Sequence, residues 1–475
     1  MEKIKNFING EYLQPVKGSY LDNYEPGTGK VYCQIPNSTK EDLELAVKGA
    51  EEAFPVWSKM PIDKRSRILH KLADLIEENL EELAIAESRD NGKPVSLARV
   101  VDIPRASTNF RFYASAIVNF SSQSHIAEGF MVNYTRRAPI GIVGCISPWN
   151  LPLYLFSWKI APALAMGNCV IAKPSELTPY TAFKLGELAN QAGMPKGVLN
   201  ILHGEGKGIG QAIVEHTSTK AISFTGGTVT GKMVGATAAQ QFKKVSLELG
   251  GKNPNLVFAD CDFEEAVKMS VKSSFTNQGE ICLCGSRILI EDSIYDEFKK
   301  RFIEETKKLI VGDPKDEKSN MGALVSEAHL QKVDSYVKLA QEEGGTVLHG
   351  GNRIEKEGYY YEPTILEGLD KNCRTNLEEI FGPVVTLNKF SSEDEAIDVA
   401  NSTRYGLSCT IWTKDLKRAH RVSHAIQSGI VWVNCWLLRD LRTPFGGMKD
   451  SGIGREGGEE ALRFFSEPQN VCIKL

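Results

Sequence analysis

Apolar residues in the first hundred positions recur at helical spacing. Ile68, Leu69, Leu72, Leu75, Ile76, Leu80 and Leu83 predict a helical run that Gly92-Lys93-Pro94 stops. Ser38 followed by Glu41 has capping-box spacing and predicts a helix across residues 40–54, after a short hairpin-like start. Another helical stretch, carrying Arg99, Arg105 and Arg111, fills residues 95–119. From about residue 140 the pattern changes. Short β-branched runs at 142–146, 168–172, 198–202, 220–224 and 245–249 alternate with helix-like segments of about ten to fifteen residues. That alternation predicts an α/β fold with a doubly wound parallel sheet, whose ligands sit beyond the carboxyl ends of its strands. A second α/β series has strand candidates at 254–258, 286–291, 384–389 and 429–434. It follows Leu249-Gly250-Gly251-Lys252-Asn253-Pro254, which has the Gly/Pro density of a hinge. The last ten residues, Ser466 to Leu475, read as a strand that must pair with something, and predict an oligomer element.

Composition narrows the classes of function. A chain of 475 residues is long enough for about three domains. Its 42% hydrophobic and 24% charged residues are those of a globular protein. Fifty-six basic against sixty acidic side chains leave a net charge of −4, which argues against a nucleic-acid partner. No apolar run reaches membrane-spanning length, and Met1 to Gln14 holds no signal-peptide stretch. The ten cysteines are scattered without a C-x-x-C pair, so a reducing cytoplasm is the expected location.

One cysteine stands apart. Cys282 lies in a polar, Gly-rich turn, Asn277-x-Gly279-Glu280-x-Cys282-Leu283-Cys284-Gly285, a setting that suits an accessible nucleophile better than a packed thiol. Its expected partner is Glu248, a lone carboxylate ending an apolar strand, where burial raises a pKa toward that of a general base. The same Glu248 would also serve as a partner for Lys252 or as a cap. Phe224-Thr225-Gly226-Gly227-Thr228-Val229-Thr230-Gly231-Lys232 joins a strand to a helix, where glycine lets backbone approach a pyrophosphate. It matches neither G-x-G-x-x-G nor a Walker A. Gly204-x-Gly206-x-Gly208-x-Gly210 also misses the dinucleotide spacing, and Lys173-Pro174-Ser175-Glu176 offers a Lys and a Glu to ribose hydroxyls. His420 and His424 have metal-ligand spacing but no third ligand, so they read as a solvated helix face and no metal is expected.

In their order these pieces resemble the aldehyde dehydrogenase superfamily. The matching segments include Pro148-Trp149-Asn150-Leu151-Pro152, Trp158-Lys159-Ile160-Ala161-Pro162, Leu247-Glu248-Leu249-Gly250-Gly251-Lys252, Glu378-Glu379-Ile380-Phe381-Gly382-Pro383 and Pro444-Phe445-Gly446-Gly447. The resemblance implies a cofactor domain (1–120 and 141–250), a catalytic domain (251–435) and a small β oligomerisation element (121–140 and 455–475). It implies Cys282 as nucleophile, Glu248 as the base that activates water, and Asn150 with the Cys282 N–H as the oxyanion hole. Lys173 and Glu176 would hold the adenosine ribose, the segment from Gly226 would face the pyrophosphate, and Glu379 and Phe381 would place the nicotinamide ribose. The remaining cofactor positions expected are Ile146, Ser147, Pro148, Trp149, Ser175, Gly206, Phe224, Gly227, Gly231 and Leu249. The reaction implied is oxidation of an aldehyde to an acid through a cysteine thiohemiacetal and thioester, in a homodimer or homotetramer. Gly227 stands where many relatives have Ser, which leaves NADP open, while Glu176 favours NAD by repelling a 2′-phosphate.

Asn434-Cys435-Trp436-Leu437-Leu438-Arg439-Asp440-Leu441-Arg442-Thr443 is similar to the branch that oxidises 2-aminomuconic and 2-hydroxymuconic semialdehydes. On that likeness Arg105 and Arg439 bind a substrate carboxylate, with Phe445 beside them; the contrary reading makes both arginines surface ion pairs. A broad-specificity enzyme for neutral aldehydes and a catalytically retired nucleotide-binding relative are the alternatives.

Overall fold

The computed structural model describes residues 1–475. Five parallel strands form the centre of its largest sheet, in the spatial order Lys244–Glu248, Thr219–Thr225, Ile142–Ile146, Cys169–Lys173, Leu199–Ile201. All five predicted strands are present, within a residue or so of their expected positions. Gly452–Ile453 adds antiparallel at one edge, and Asn6–Ile8 with Glu11–Leu13 at the other. The first of these five in chain order, Ile142–Ile146, thus lies between the second and the fourth. Strand order reverses between Ile142–Ile146 and Thr219–Thr225, which opens a crevice at their carboxyl ends.

Helices cover both faces of this sheet, as strands buried on both sides require. Pro152–Ala165 is buried almost all round, and its apolar residues pack with those of Ile62–Glu78 and Ile103–Ala116. The first helix, Lys40–Trp57, begins at the expected residue, but its N-cap is not Ser38. Thr39 is its N-cap and Asp42 completes the capping box, while the Ser38 hydroxyl is taken by the Asn6 side chain. Both Ser38 and Thr39 have a carboxylate three residues on, and the tertiary contact to Asn6 decides between them.

The second sheet runs Thr346–His349, Thr364–Glu367, Val384–Phe390, Gly285–Glu291, Asn253–Val257, Ser408–Trp412, Ile430–Val433. Three of these strands, at 346, 364 and 408, were not expected from the sequence. Ser408–Trp412 is fully buried yet starts Ser-Cys-Thr, so its polar residues hide a core strand. The C-terminal strand Ser466–Lys474 pairs antiparallel with Met131–Pro139, which also pairs with Ser124–Ala127. No helix is long and apolar enough to cross a membrane.

Candidate active site

Cys282 stands where the two large sheets meet. The helix Phe263–Phe275 ends in a turn in which Asn277, Gln278 and Gly279 all take left-handed backbone angles, with φ of 52°, 56° and 70°. At Gly279 a Cβ would overlap the Gly382 carbonyl, so only glycine lets this turn lie against the Phe381–Pro383 segment. Asn253 Nδ2 then donates to the carbonyls of Cys282 (2.7 Å) and Cys284 (2.9 Å), and Trp436 Nε1 donates to that of Leu283 (3.0 Å). Held in this way, Cys282 is half-buried and lines two cavities, whereas Cys284 is buried with its thiol toward the Thr276 carbonyl. Burial pushes the Cys282 thiol above its ordinary pKa; Glu248 and Glu379 raise it further, and Arg439 opposes them.

Glu248 ends its strand fully inside the molecule, and its Oε1 has no hydrogen-bond partner. Burial holds its carboxyl well above the usual range, Glu456 adds to the shift, and Lys159, Arg455 and Arg439 pull against it. It does not pair with Lys252, whose buried amine is itself without a partner. Beneath it Lys159 bridges Glu456 (2.8 Å) and the Ser223 hydroxyl (3.0 Å). Glu456 carried no signal in the sequence.

On one side of Cys282 the crevice of the first sheet forms a cleft lined by Pro148, Trp149, Asn150, Thr225, Gly226, Gly227, Leu249, Gly250, Glu379 and Phe381. Asn150 Nδ2 donates to the Glu280 carbonyl (2.9 Å), which leaves its second N–H free. Gly227 caps the helix Thr228–Gln240 with no side-chain hydrogen bond, so first-turn N–H groups face the cleft. Gly226 is packed under the Phe224 ring and Gly231 against Leu249, so side chains there would close the approach. Glu379 Oε1 accepts from the Gly251 N–H (2.8 Å), and Phe381 is held at φ 62°.

The other expected cofactor positions lie outside that lining, along the same strand ends. Ile146 and Ser147 end the first strand, and the Ser147 N–H donates to the Lys173 carbonyl (3.1 Å). Lys173 Nζ lies 2.7 Å from Glu176, and Ser175 Oγ accepts from the Leu177 N–H (3.3 Å). Gly206 opens the short turn that follows. Positions 206, 208 and 227 have open space where a Cβ would stand, and the buried hydroxyls of Ser147 and Thr225 lack partners. An open glycine cradle with unused donors at a helix N-terminus fits a pyrophosphate-bearing dinucleotide. Besides Leu155, two polar residues of this cleft carry no signal in the sequence. His329, on the helix Glu327–Glu342, packs edge-on against Trp149 at 5.0 Å and donates from Nε2 to the Phe381 carbonyl (2.6 Å). Lys332 lies one turn on. Neither stands in a Gly/Pro-rich segment, so spacing offered no signal.

On the opposite side of Cys282 is a cavity of about 410 Å³. Leu151, Tyr154, Leu155, Trp158, Ile281, Trp436, Leu437 and Phe445 make most of its wall, with Glu248 and Thr225 toward the cysteine. Arg439 and Lys272 are the cations on this wall, and Asp102, Glu248 and Glu456 are its acids. The Arg439 guanidinium lies 4.1 Å from the Phe445 ring centre and 5.1 Å from that of Trp158, and Nη1 donates to the Tyr154 hydroxyl (2.9 Å). It makes no ion pair; Asp440 bonds to Arg442 instead. Arg105 does not line the cavity and packs 5.5 Å from the Tyr154 ring, also without a carboxylate. Neither arginine is a surface ion pair.

The description "aldehyde dehydrogenase family" belongs to the family model that matches residues 13–471. The 2-aminomuconic semialdehyde dehydrogenase of Mus musculus is 51% identical, over 99% of this chain and 98% of its own. The 2-hydroxymuconic semialdehyde dehydrogenase of a Pseudomonas species is 44% identical over the full length of both. An NAD⁺ complex of an aldehyde dehydrogenase from Bacillus cereus superposes with a TM-score of 0.98 at 38% identity, covering 100% of this chain and 97% of that one.

Proposed function

The chain belongs to the aldehyde dehydrogenase family, and on that premise we propose that it oxidises a small aldehyde carrying a carboxylate, with NAD as oxidant. The observation that carries the substrate reading is Arg439, a guanidinium enclosed by three aromatic side chains beside Cys282 and lacking any anionic partner. A substrate carboxylate completes that site, since Arg pairs a carboxylate through two parallel N–H donors. Arg105 serves at one remove by packing on Tyr154. Relatives named for muconic semialdehydes, which bear a carboxyl group beside the aldehyde, support this choice.

In this reading NAD, when bound in the glycine-lined cleft, supplies the two-electron acceptor. Cys282 gives up its thiol proton to solvent and adds as the thiolate to the aldehyde carbon, and the oxyanion meets the free N–H of Asn150 and the backbone N–H of Cys282. Oxidation leaves the acyl group on Cys282 as a thioester. Glu248 then takes a proton from the water that attacks it, and the acid leaves. Because Glu248 supplies the base for water, hydrolysis rather than transfer to another thiol is the expected outcome. Lys173 and Glu176 serve the adenosine ribose, the 226–231 turn the pyrophosphate, and Glu379 with Phe381 the nicotinamide ribose.

The domain reading keeps residues 1–120 and 141–250 as the cofactor unit, 251–435 as the catalytic unit, and 121–140 with 455–475 as an oligomerisation element. The exposed strand pair Met131–Pro139 and Ser466–Lys474 supports a homodimer or homotetramer. Ten unpaired cysteines fit the cytoplasm. The test is a panel of acidic and neutral aldehydes of equal length, followed by NADH absorbance. A higher kcat/KM for the acidic members is expected; equal values would make this a broad-specificity enzyme.

A further inference from the structure

The Asn91-Gly92-Lys93 turn does more than end a helix. Lys93 is fully buried, and its amine donates to Asp102 Oδ1 (2.7 Å) and to the backbone carbonyl of Asn150 (3.1 Å). Asn91 Nδ2 reaches the carbonyls of Trp149 (3.1 Å) and Asn150 (3.4 Å). From the same helix, the buried Glu87 carboxylate accepts the Leu153 N–H (3.1 Å) at the start of the helix Pro152–Ala165. One segment, residues 87–93, therefore grips the chain on both sides of the Asn150 amide. Gly92 makes this possible: at φ 89° it swings Lys93 inward, and a Cβ there would come within 2.9 Å of Pro26.

The grip continues to the nucleophile. Asn277 Nδ2 donates to the Asn150 carbonyl (3.1 Å) and to the Glu280 carbonyl (3.3 Å), while Asn150 Nδ2 donates to that same Glu280 oxygen (2.9 Å). The Asn150 carbonyl thus accepts from Lys93, Asn91 and Asn277 at once, and its side chain is tied to the Cys282 loop. Holding one backbone oxygen in this way is costly, since burial raises the Asp102 and Glu87 carboxyls.

We propose that Lys93 is a positioning residue for the oxyanion hole: through Asn150 it fixes the distance between the amide donor and the Cys282 loop. This rests on the proposed role of Asn150 in aldehyde oxidation. Asp102, on the wall of the aldehyde cavity, orients the lysine.

The test is a double-mutant cycle of Lys93→Met and Asn150→Ala, with kcat, KM and NAD affinity measured for each variant. Lys93→Met is expected to lower kcat by about 10- to 100-fold, because a small misplacement of a catalytic group is that costly, with NAD affinity unchanged. In the Asn150→Ala background the same change is expected to cost nothing more. If Lys93→Met fails to fold with Asp102 left unpaired, Lys93→Met with Asp102→Asn removes both charges and enters the cycle against Asp102→Asn alone. Losses that multiply in the two backgrounds, or a folded variant with wild-type kcat, would overturn the proposal for Lys93 alone. Wild-type kcat in Asn150→Ala would overturn the oxyanion assignment and this inference with it.

Discussion

The cleft on the Trp149 side of Cys282 is built largely of backbone and glycine, at the reversal point of one parallel sheet. The cavity on the Trp158 side is walled by bulky side chains from segments near 100, 154, 280, 437 and 456. In the proposed reading the difference follows from what each binds. A pyrophosphate is held by backbone N–H groups, so the chain must come close and glycine is needed at fixed places. In the proposed reading a small aldehyde is selected by shape and charge, and side chains from anywhere in the chain can supply these. Cys282, Thr225 and Leu155 line both, and the other lining residues belong to one side only.

The largest effect is expected at Cys282. Cys282→Ala should abolish aldehyde oxidation while NAD still binds, as read by nucleotide titration; Cys284→Ala, which alters a buried thiol off both cavities, should stay active. The reverse outcome would move the nucleophile to Cys284. Glu248→Gln comes next. It should give one burst of NADH and then turn over about 10²–10⁴-fold more slowly, the range for losing a general base. Because burial holds the Glu248 carboxyl above its ordinary range, its basic form grows as pH rises. Turnover of the wild type should therefore climb with pH and that climb should vanish in Glu248→Gln, whereas a persisting climb would place the base elsewhere. A smaller effect confined to the cofactor side is expected from Gly250→Ala, whose Cβ would come within 2.8 Å of Glu379 Cδ. Displacing that carboxylate should raise the KM for NAD by about tenfold, the worth of one charged hydrogen bond, and leave the KM for the aldehyde alone. If both constants move together, the two sides are not separable.

The same contrast explains which parts of the molecule the sequence disclosed. Five central strands and the turns after them were legible, because β-branched runs and glycine spacing are written locally. Cys282 and Glu248 were legible because their surroundings are odd for their residue types. His329 and Lys332 reach the cleft from a helix whose surface pattern is ordinary. Glu456 and Asp102 reach the active region only through long-range packing. Lys93 was visible, but only as part of a helix stop, since nothing local says that its amine ends on Asn150. Arg439 was found by likeness to a family branch, and its freedom from ion pairs is a fact of the folded chain.

The central claim is that the free guanidinium on the aldehyde side selects a charged substrate for the chemistry at Cys282. It is tested most directly by kcat/KM of wild type and Arg439→Ala on two aldehydes of equal length, one ending in a carboxylate and one neutral. For the acidic aldehyde the account predicts a loss of about 2–5 kcal/mol, the cost of leaving one charge of a buried pair unpaired, with the neutral aldehyde almost unaffected. Equal losses on both would contradict it, and would make Arg439 a brace for Tyr154, Trp158 and Phe445.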